Sequence, residues 1–431
     1  TGTITFKATD GVNQVQQVST FSLSFGPDWS VAPTESKLVA SDPQVSDLFG
    51  FSVSISSDGS YAIVGANRED TGGTVAGAAY IFTRSGSTWT QQQKITASDI
   101  EASDSFGNSV SISSDGSYAI VGAPQEDTGA SSAGAAYIFS RSGSTWTQQQ
   151  KIQASDPEAT DYFGVSVSIS SDGSYAIIGA QYEDTGGSNT GSAYIFSRSG
   201  STWTQQQKIQ TSDIQAGDLF GYSVSINSDG TYAIVGAAYE DTGGSSAGAA
   251  YVFRRSGSTW TQQQKIQASD IQASDNFGIS VSISSDGSYA IVSTPYEDTG
   301  GGDAGAAYIF SRSGSTWTQQ QKIQASDAQA GDNFGQSVSI SSDGSYAIIG
   351  AHREDGAITD AGAAYIFSRS GSTWTQERKI TASDAQASDF FGFSVSISSD
   401  GSYAIVSAYG EDGGAGDTIT AAGAAYIYEA G

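Results

Sequence analysis

The stretch from Phe49 to Ile95 carries four apolar runs whose spacing predicts strands and no helix. From Phe49 to Ser56, the residues Phe51, Val53 and Ile55 alternate with serines, the two-residue period of a strand with one small-residue face. Ser57-Asp58-Gly59 follows, and Asp-Gly between apolar runs is a strong hairpin signal. Tyr61 to Ala66 and Ala78 to Phe82 are continuously apolar, as suits strands covered on both faces. Arg84-Ser85-Gly86-Ser87 predicts a second tight turn, and Thr88 to Ile95 an outer strand with Trp89 and Ile95 on one face.

The same pattern returns along the chain. Its opening Phe-Gly recurs at Phe49, Phe106, Phe163, Phe220, Phe277, Phe334 and Phe391, always 57 residues apart. A fixed period of this length marks a repeat architecture. Four antiparallel strands with two apolar faces cannot stand alone, whereas sheets stacked radially bury those faces on each other. The predicted fold is therefore all-β: a seven-bladed β-propeller of four-stranded antiparallel blades over residues 28–431, with repeats starting near 42, 99, 156, 213, 270, 327 and 384. The seventh copy stops at Tyr426-Ile427-Tyr428, short of its fourth strand. Trp29 and Lys37-Leu38-Val39-Ala40-Ser41-Asp42 form a degenerate version of that strand ahead of the first copy. The N-terminal segment is expected to complete the last blade and so remove the free sheet edges of an open ring.

Residues 1–27 stand outside the repeat. Thr3 to Phe6 and Phe21 to Phe25 alternate like strands on either side of Asp10-Gly11. The stretch resembles the closing hairpin of a bacterial immunoglobulin-like or cadherin-like module, which implies upstream domains in the same chain. The absence of Met and the start at Thr1 mark a piece of a longer or processed chain.

Phe106-Gly107 followed by Gly122-Ala123-Pro124 spells out the FG-GAP repeat; other copies have FG…GA, with Ser293 and Ser407 as variants. From Phe49 to Tyr428 the chain resembles FG-GAP propellers, the repeat of the integrin α-chain head and of bacterial surface proteins. The resemblance implies extracellular adhesion or ligand binding, often with Ca²⁺ in the loop between the first two strands of a blade. This chain departs from that calcium loop: Ile-Ser-Ser-Asp-Gly-Ser-Tyr-Ala keeps one carboxylate, Asp58 in the first copy, where Ca²⁺ takes about six to eight oxygens. Asp58 and its equivalents are expected to serve the hairpin turn.

Composition narrows the function. Lys and Arg total 18 against 45 Asp and Glu, a net charge of −27, which repels nucleic acid and anionic membrane. No apolar run approaches the ~20 residues that span a bilayer. Without Cys there is no disulfide, thiolate metal site or cysteine nucleophile. His352 is the only histidine, and the chain lacks G-x-S-x-G, HExxH and a phosphate-cradling loop. Carboxylate pairs abound, but near-equivalent pairs in every blade lack the one distinctive environment that splits the pKa values of a catalytic pair. The expectation is a protein that is not an enzyme.

The acids sort by rim. Each blade-joining loop carries two Asp, as in Asp42 and Asp47 or Asp99 and Asp104, and each loop between second and third strands a Glu-Asp pair, as in Glu69-Asp70 and Glu126-Asp127. That puts four carboxylates per repeat on one rim, close enough to repel within a Debye length of ~8 Å. Bound cations, the Lys that ends each outer strand (Lys94, Lys151, Lys208) or backbone N–H groups in Asx turns would offset the repulsion. The metal candidates are Asp47, Glu69, Asp70, Asp104, Glu126 and Asp127, with Ca²⁺ as the ion and Asp104 joining the Glu69-Asp70 loop.

Because the copies are nearly identical, the positions that differ are informative. They cluster before each Glu-Asp pair, where Arg68, Tyr182, Tyr239, Tyr296, His352, Arg353 and Tyr409 stand, and directly after each Phe-Gly. Aromatics give large contact area at low entropy cost, so these residues are the candidate contacts for a cell-surface glycan or protein receptor. The tryptophans, fixed in the outer strand, are expected to pack between blades. The expected function is an extracellular adhesion or receptor-recognition module of a larger bacterial surface or virion fibre protein, binding through its acidic rim. The alternative is a structural decoration or spacer module without a ligand.

Overall fold

Every regular element of the computed structural model is a β-strand; it describes residues 7–9, 14–16, 26–356, 358–412 and 418–431. Seven four-stranded antiparallel sheets form the blades of a propeller. In the first blade the strands run Phe49–Ile55, Tyr61–Ala66, Ala78–Ser85 and Thr88–Ile95, innermost to outermost. Lys7–Thr9 pairs antiparallel with Gln14–Gln16, while the expected turn at Asp10-Gly11 and the expected strands at 3–6 and 21–25 lie outside the described residues.

The ring closes as the degenerate fourth strand predicts. Thr34–Leu38 pairs antiparallel with Ala424–Glu429 and becomes the outermost strand of the seventh blade. Trp29 fills the place held by Trp146 in the second blade: it is 1% exposed, packs with Phe391, Tyr426 and Tyr428, and donates its Nε1–H to the Gly401 carbonyl at 2.9 Å. The preceding blade, which elsewhere uses a glutamine to hold its neighbour's tryptophan backbone (Gln93 to Trp146 O, 2.9 Å), here uses Arg378 to reach the carbonyls of Trp29 and Ser30.

Each blade-to-blade interface has its own core. Ile63, Ile81 and Ile95 of the first blade meet Phe106, Tyr137, Phe139 and Trp146 of the second, with Phe106 edge-on to both Tyr137 and Phe139. The expectation that Trp89 and Ile95 share a face is corrected. Gln92 bulges out of the ladder between Ile81 and Phe82, which reverses the side-chain alternation. Trp89 thus packs into the interface behind its blade and Ile95 into the one ahead.

Backbone contacts stitch neighbouring blades where the Phe-Gly pairs begin. Phe106 N–H donates to the Ala76 carbonyl at 2.9 Å, and a parallel bridge joins Gly77 to Phe106. Gly107 has a φ of +91°, which favours glycine, and a Cβ on Gly65 would lie against its carbonyl oxygen, so the close approach here leaves no room for a side chain at Gly65. Lining the channel, the serines that alternate with Val and Ile complete the inner edge: Val53 and Ile55 donate their N–H groups to Ser394 Oγ and Ser396 Oγ of the preceding blade, at 3.1 and 3.3 Å. At the hairpin-turn end, Ser57, Ser114, Ser171, Ser228, Ser285, Ser342 and Ser399 form an unbroken circle of backbone hydrogen bonds, each N–H to the next carbonyl at 3.0–3.2 Å.

Closure through Trp29 should be visible in stability. Trp29→Ala is expected to cost about 3–5 kcal/mol, the range for truncating a buried aromatic. Trp89→Ala, at a half-buried site, should cost distinctly less; denaturant midpoints of the two variants compare them.

Candidate functional site

The acids of the loop rim are organised around lysines. In the first blade, Lys94 reaches Asp42 at 2.7 Å and Glu69 at 2.8 Å, and Tyr80 donates its hydroxyl to the other oxygen of Asp42 at 2.9 Å. Glu69 is 0% exposed and also accepts from the N–H and hydroxyl of Thr71. The lysine bridge between Asp and Glu recurs in every blade, as in Lys151 with Asp99 at 2.8 Å and Glu126 at 2.6 Å. In the seventh blade the lysine comes from the closing strand: Lys37 binds Asp384 and Glu411. Burial pulls each lysine down in pKa, but the carboxylates outweigh it and the net shift is upward; Asp42 and Asp99 are held below the usual range because their lysine bonds outweigh their burial. Asp70 and Asp127 are exposed and cap their own loops, accepting from Val75 N–H at 2.8 Å and Ser132 N–H at 2.7 Å.

Asp47 and Asp104 have a different environment. Both are buried and accept a backbone N–H three residues earlier, from Gln44 and Glu101, at 2.8 Å. Burial, reinforced by nearby Glu69 and Asp70, pushes Asp47 up to about 6; burial with Glu126 and Glu101 does the same to Asp104. Among neighbouring charges Glu126 acts most strongly on the Asp104 carboxylate, while its neighbours Ser103 and Ser105 donate their N–H groups to the Thr74 and Val75 carbonyls at 2.9 and 3.1 Å, so the turn that carries Asp104 packs on the loop that holds Glu69-Asp70. Among the described residues no three carboxylates converge as a metal site would need. Asp58 accepts the Ser60 N–H at 2.9 Å and serves the hairpin turn.

The residues that differ between copies meet at the channel. Phe51, Asn108, Val165, Tyr222, Ile279, Gln336 and Phe393, one from each blade directly after Phe-Gly, line a single cavity of about 400 Å³ together with Gln181. The residues before the Glu-Asp pairs separate into two sets. His352 and Tyr409 belong to the inner wall, whereas Arg68, Tyr239, Tyr296 and Arg353 are exposed outside it and Tyr182 is half-buried. Tyr409 stacks on Phe390 at 5.3 Å, meets Phe393 edge-on at 4.5 Å and lies 6.2 Å from Phe51; His352 is within 6.0 Å of Phe390 and Phe393. An aromatic wall thus spans the sixth, seventh and first blades. On the other side Tyr182 is edge-on to Tyr162 at 5.2 Å, and Tyr222 lies 6.3 Å from Tyr239. Burial, and then neighbouring Arg353, lowers His352 to about 4, so it is neutral at physiological pH.

Phe390 and Tyr162 were not among the expected contacts. They occupy the position just before Phe-Gly, a third place where the copies differ (Leu48, Ser105, Tyr162, Leu219, Asn276, Asn333, Phe390), and all seven have φ between 54° and 57°. That left-handed backbone carries a conformational cost. Their variation was the signal available in the sequence.

A channel ringed by divergent residues on a uniform scaffold defines a seven-bladed propeller with one specialised mouth. The chain belongs to the FG-GAP repeat family, whose repeat matches residues 33–82, 89–139, 146–196, 203–253, 260–310, 317–367 and 374–428. Each match begins in one blade's outermost strand and ends in the third strand of the next, so the sequence unit straddles two blades and the first match opens with the closing strand. No curated protein matches the chain.

Two outcomes are expected. A carboxyl whose pKa is raised by folding binds its proton more tightly folded than unfolded, so its contribution to stability grows as pH falls through about 6 and is lost as pH rises through that value. With such an Asp in every blade, Tm should rise between pH 7.5 and 5, and fall again as pH drops through the usual carboxylate range and below it, where the unfolded chain is protonated before the lysine-bound Asp42 class of the folded one. A melting series in matched ionic strength checks this, and Asp104→Asn should remove about one seventh of the rise. Secondly, because a lysine ammonium already sits between the acids of each blade, Tm should be the same in millimolar Ca²⁺ and in EGTA. A shift of several degrees that Mg²⁺ does not reproduce would contradict the lysine-centred reading.

Proposed function

We propose that this propeller is an extracellular recognition module that binds a cell-surface glycan or protein receptor at the channel mouth, within the acidic rim. The observation that carries the reading is that the divergent residues directly after each Phe-Gly line one cavity, with divergent His352 and Tyr409 packed on Phe393 and Phe390 beside it. Drift at unconstrained loops would scatter such differences around the rim. Here they build an aromatic wall at Phe51, Phe390, Phe393 and Tyr409 beside exposed Arg68 and Arg353. Rigid aromatics next to arginines are the residue types that dominate binding energy at interfaces. Membership of the FG-GAP repeat family is consistent with a ligand-recognition or adhesion module.

The chemistry favours binding over catalysis. His352 faces aromatic rings and Arg353, and no acid acts on it to make a proton relay. The buried carboxylates are engaged by lysines and turn N–H groups in every blade alike.

Tyr409→Ala and Phe393→Ala are expected to abolish attachment to receptor-bearing cells or to a glycan array, and Arg68→Ala to weaken it, while melting above the temperature of the assay. Attachment unchanged by all three, in folded protein, would favour a spacer role for the ring.

A further inference from the structure

Four blades seat a glutamine carboxamide in one place. Just past the outermost strand, Gln153, Gln210, Gln267 and Gln324 donate from Nε2 to the second oxygen of the buried glutamate (Glu126, Glu183, Glu240, Glu297) at 3.2–3.3 Å. Each also donates to the carbonyl two residues beyond that glutamate, such as Thr128 at 2.8 Å and Thr242 at 2.7 Å. Gln267 and Gln324 reach a third acceptor, the glycine carbonyl ahead of the third strand, Gly248 at 2.9 Å and Gly305 at 3.4 Å. The seat offers three acceptors, so what fills it must bring N–H bonds.

The sixth blade keeps the seat and lacks the amide. Thr381 stands where the glutamine would be. Glu354 is still only 3% exposed, with Oε1 bound to Lys379 at 2.7 Å and accepting Gly356 N–H at 2.9 Å, but no described residue donates to Oε2. The first blade also has a threonine there, Thr96; in that blade Ile100 packs against Gly72 and Glu69 Oε2 is shut from solvent. The sixth blade has Ala385 in place of that isoleucine, and a cavity of about 320 Å³ opens between Glu354, Gly356, Gly362 and Thr381, walled by Ile358 and Ala361.

The charge selects among N–H donors. Lys379 is shared between Asp327, at 2.6 Å, and Glu354, at 2.7 Å, and Asp355 also lines the cavity, so carboxylates outnumber the one ammonium here. A cation is favoured over a neutral amide in such a place. We propose that this pocket of the sixth blade binds a primary ammonium group on an aliphatic stem, the chemistry of a lysine side chain. Its three N–H bonds would answer Glu354 Oε2 and the Gly356 and Gly362 carbonyls, with the stem along Ile358 and Ala361. The pocket lies beside the outermost strand, apart from the channel mouth, and does not depend on the receptor reading.

Titration of the ¹⁵N-labelled protein with n-butylammonium, butyramide and butyrate, at fixed ionic strength, tests it. Saturable shifts centred on Gly356, Gly362 and Thr381 are expected with butylammonium, weaker ones with butyramide and none with butyrate. Thr381→Gln supplies the missing carboxamide from the chain itself. It should raise Tm and weaken butylammonium binding by at least about tenfold, the loss of one charge-assisted hydrogen bond. Gln324→Thr, followed by Ala328 as Thr381 is by Ala385, should open a second site and double the stoichiometry. The proposal falls if butylammonium fails to saturate at the sixth blade, if butyramide or butyrate binds as well, or if folded Thr381→Gln binds undiminished.

Discussion

The approach of one blade's Phe-Gly turn to the second strand of the blade before it sets the terms for the rest of the molecule. Gly107's carbonyl lies where a side chain on Gly65 would be, and the Phe106 N–H is bonded across the same gap to Ala76. At that separation the apolar faces of neighbouring sheets close into seven separate cores, and the inner serines come within reach of the next blade's free N–H groups. Ser293 and Ser407 show how the chain accommodates a side chain at this point: their hydroxyls accept N–H bonds from Ser280 and Ser394 in their own blades.

The same economy governs charge. A formal charge of −27 in a ring of acidic loops suggests a surface waiting for cations, yet the most buried acids are paired inside the protein. One lysine per blade bridges an Asp from the incoming loop and a Glu from the loop between second and third strands, tying the two segments that approach the channel. Such pairs stabilise only when both partners are present, because a buried carboxylate without its ammonium bears the full desolvation cost. The closing strand therefore contributes Lys37 as well as backbone bonds: without it, Asp384 and Glu411 would lose the ammonium that every other blade has.

Against this uniform background, departures from the repeat acquire meaning by position. Substitutions that would disturb a glycine contact, a serine bond or a lysine clamp are almost absent. Among those that remain, one group lies at the mouth of the channel, where an aromatic wall faces a more polar side, and another at the sixth blade, where the exchange of one glutamine for Thr381 uncovers a buried carboxylate. A repeat protein can vary in such places without disturbing its neighbours, since each blade contacts only the blades beside it.

The sequence by itself determined the architecture. A fixed 57-residue period, Asp-Gly turns, apolar runs of strand length and a missing fourth strand answered by Trp29 and Lys37 leave little but a closed ring of seven sheets. Local pattern suffices there because strand period and turn chemistry are short-range properties. The tertiary structure decided what spacing cannot express. Gln92's bulge put Trp89 and Ile95 on opposite faces, and the Asp104 carboxylate came under the charge of Glu126 while the residues on either side of it bonded to Thr74 and Val75. Likewise, His352 and Tyr409 joined Phe390 in one wall while Arg68 and Arg353 stayed outside it. Each of these depends on which side chains from different loops converge in space, and that convergence is fixed by sheet twist and blade packing, to which linear order is blind.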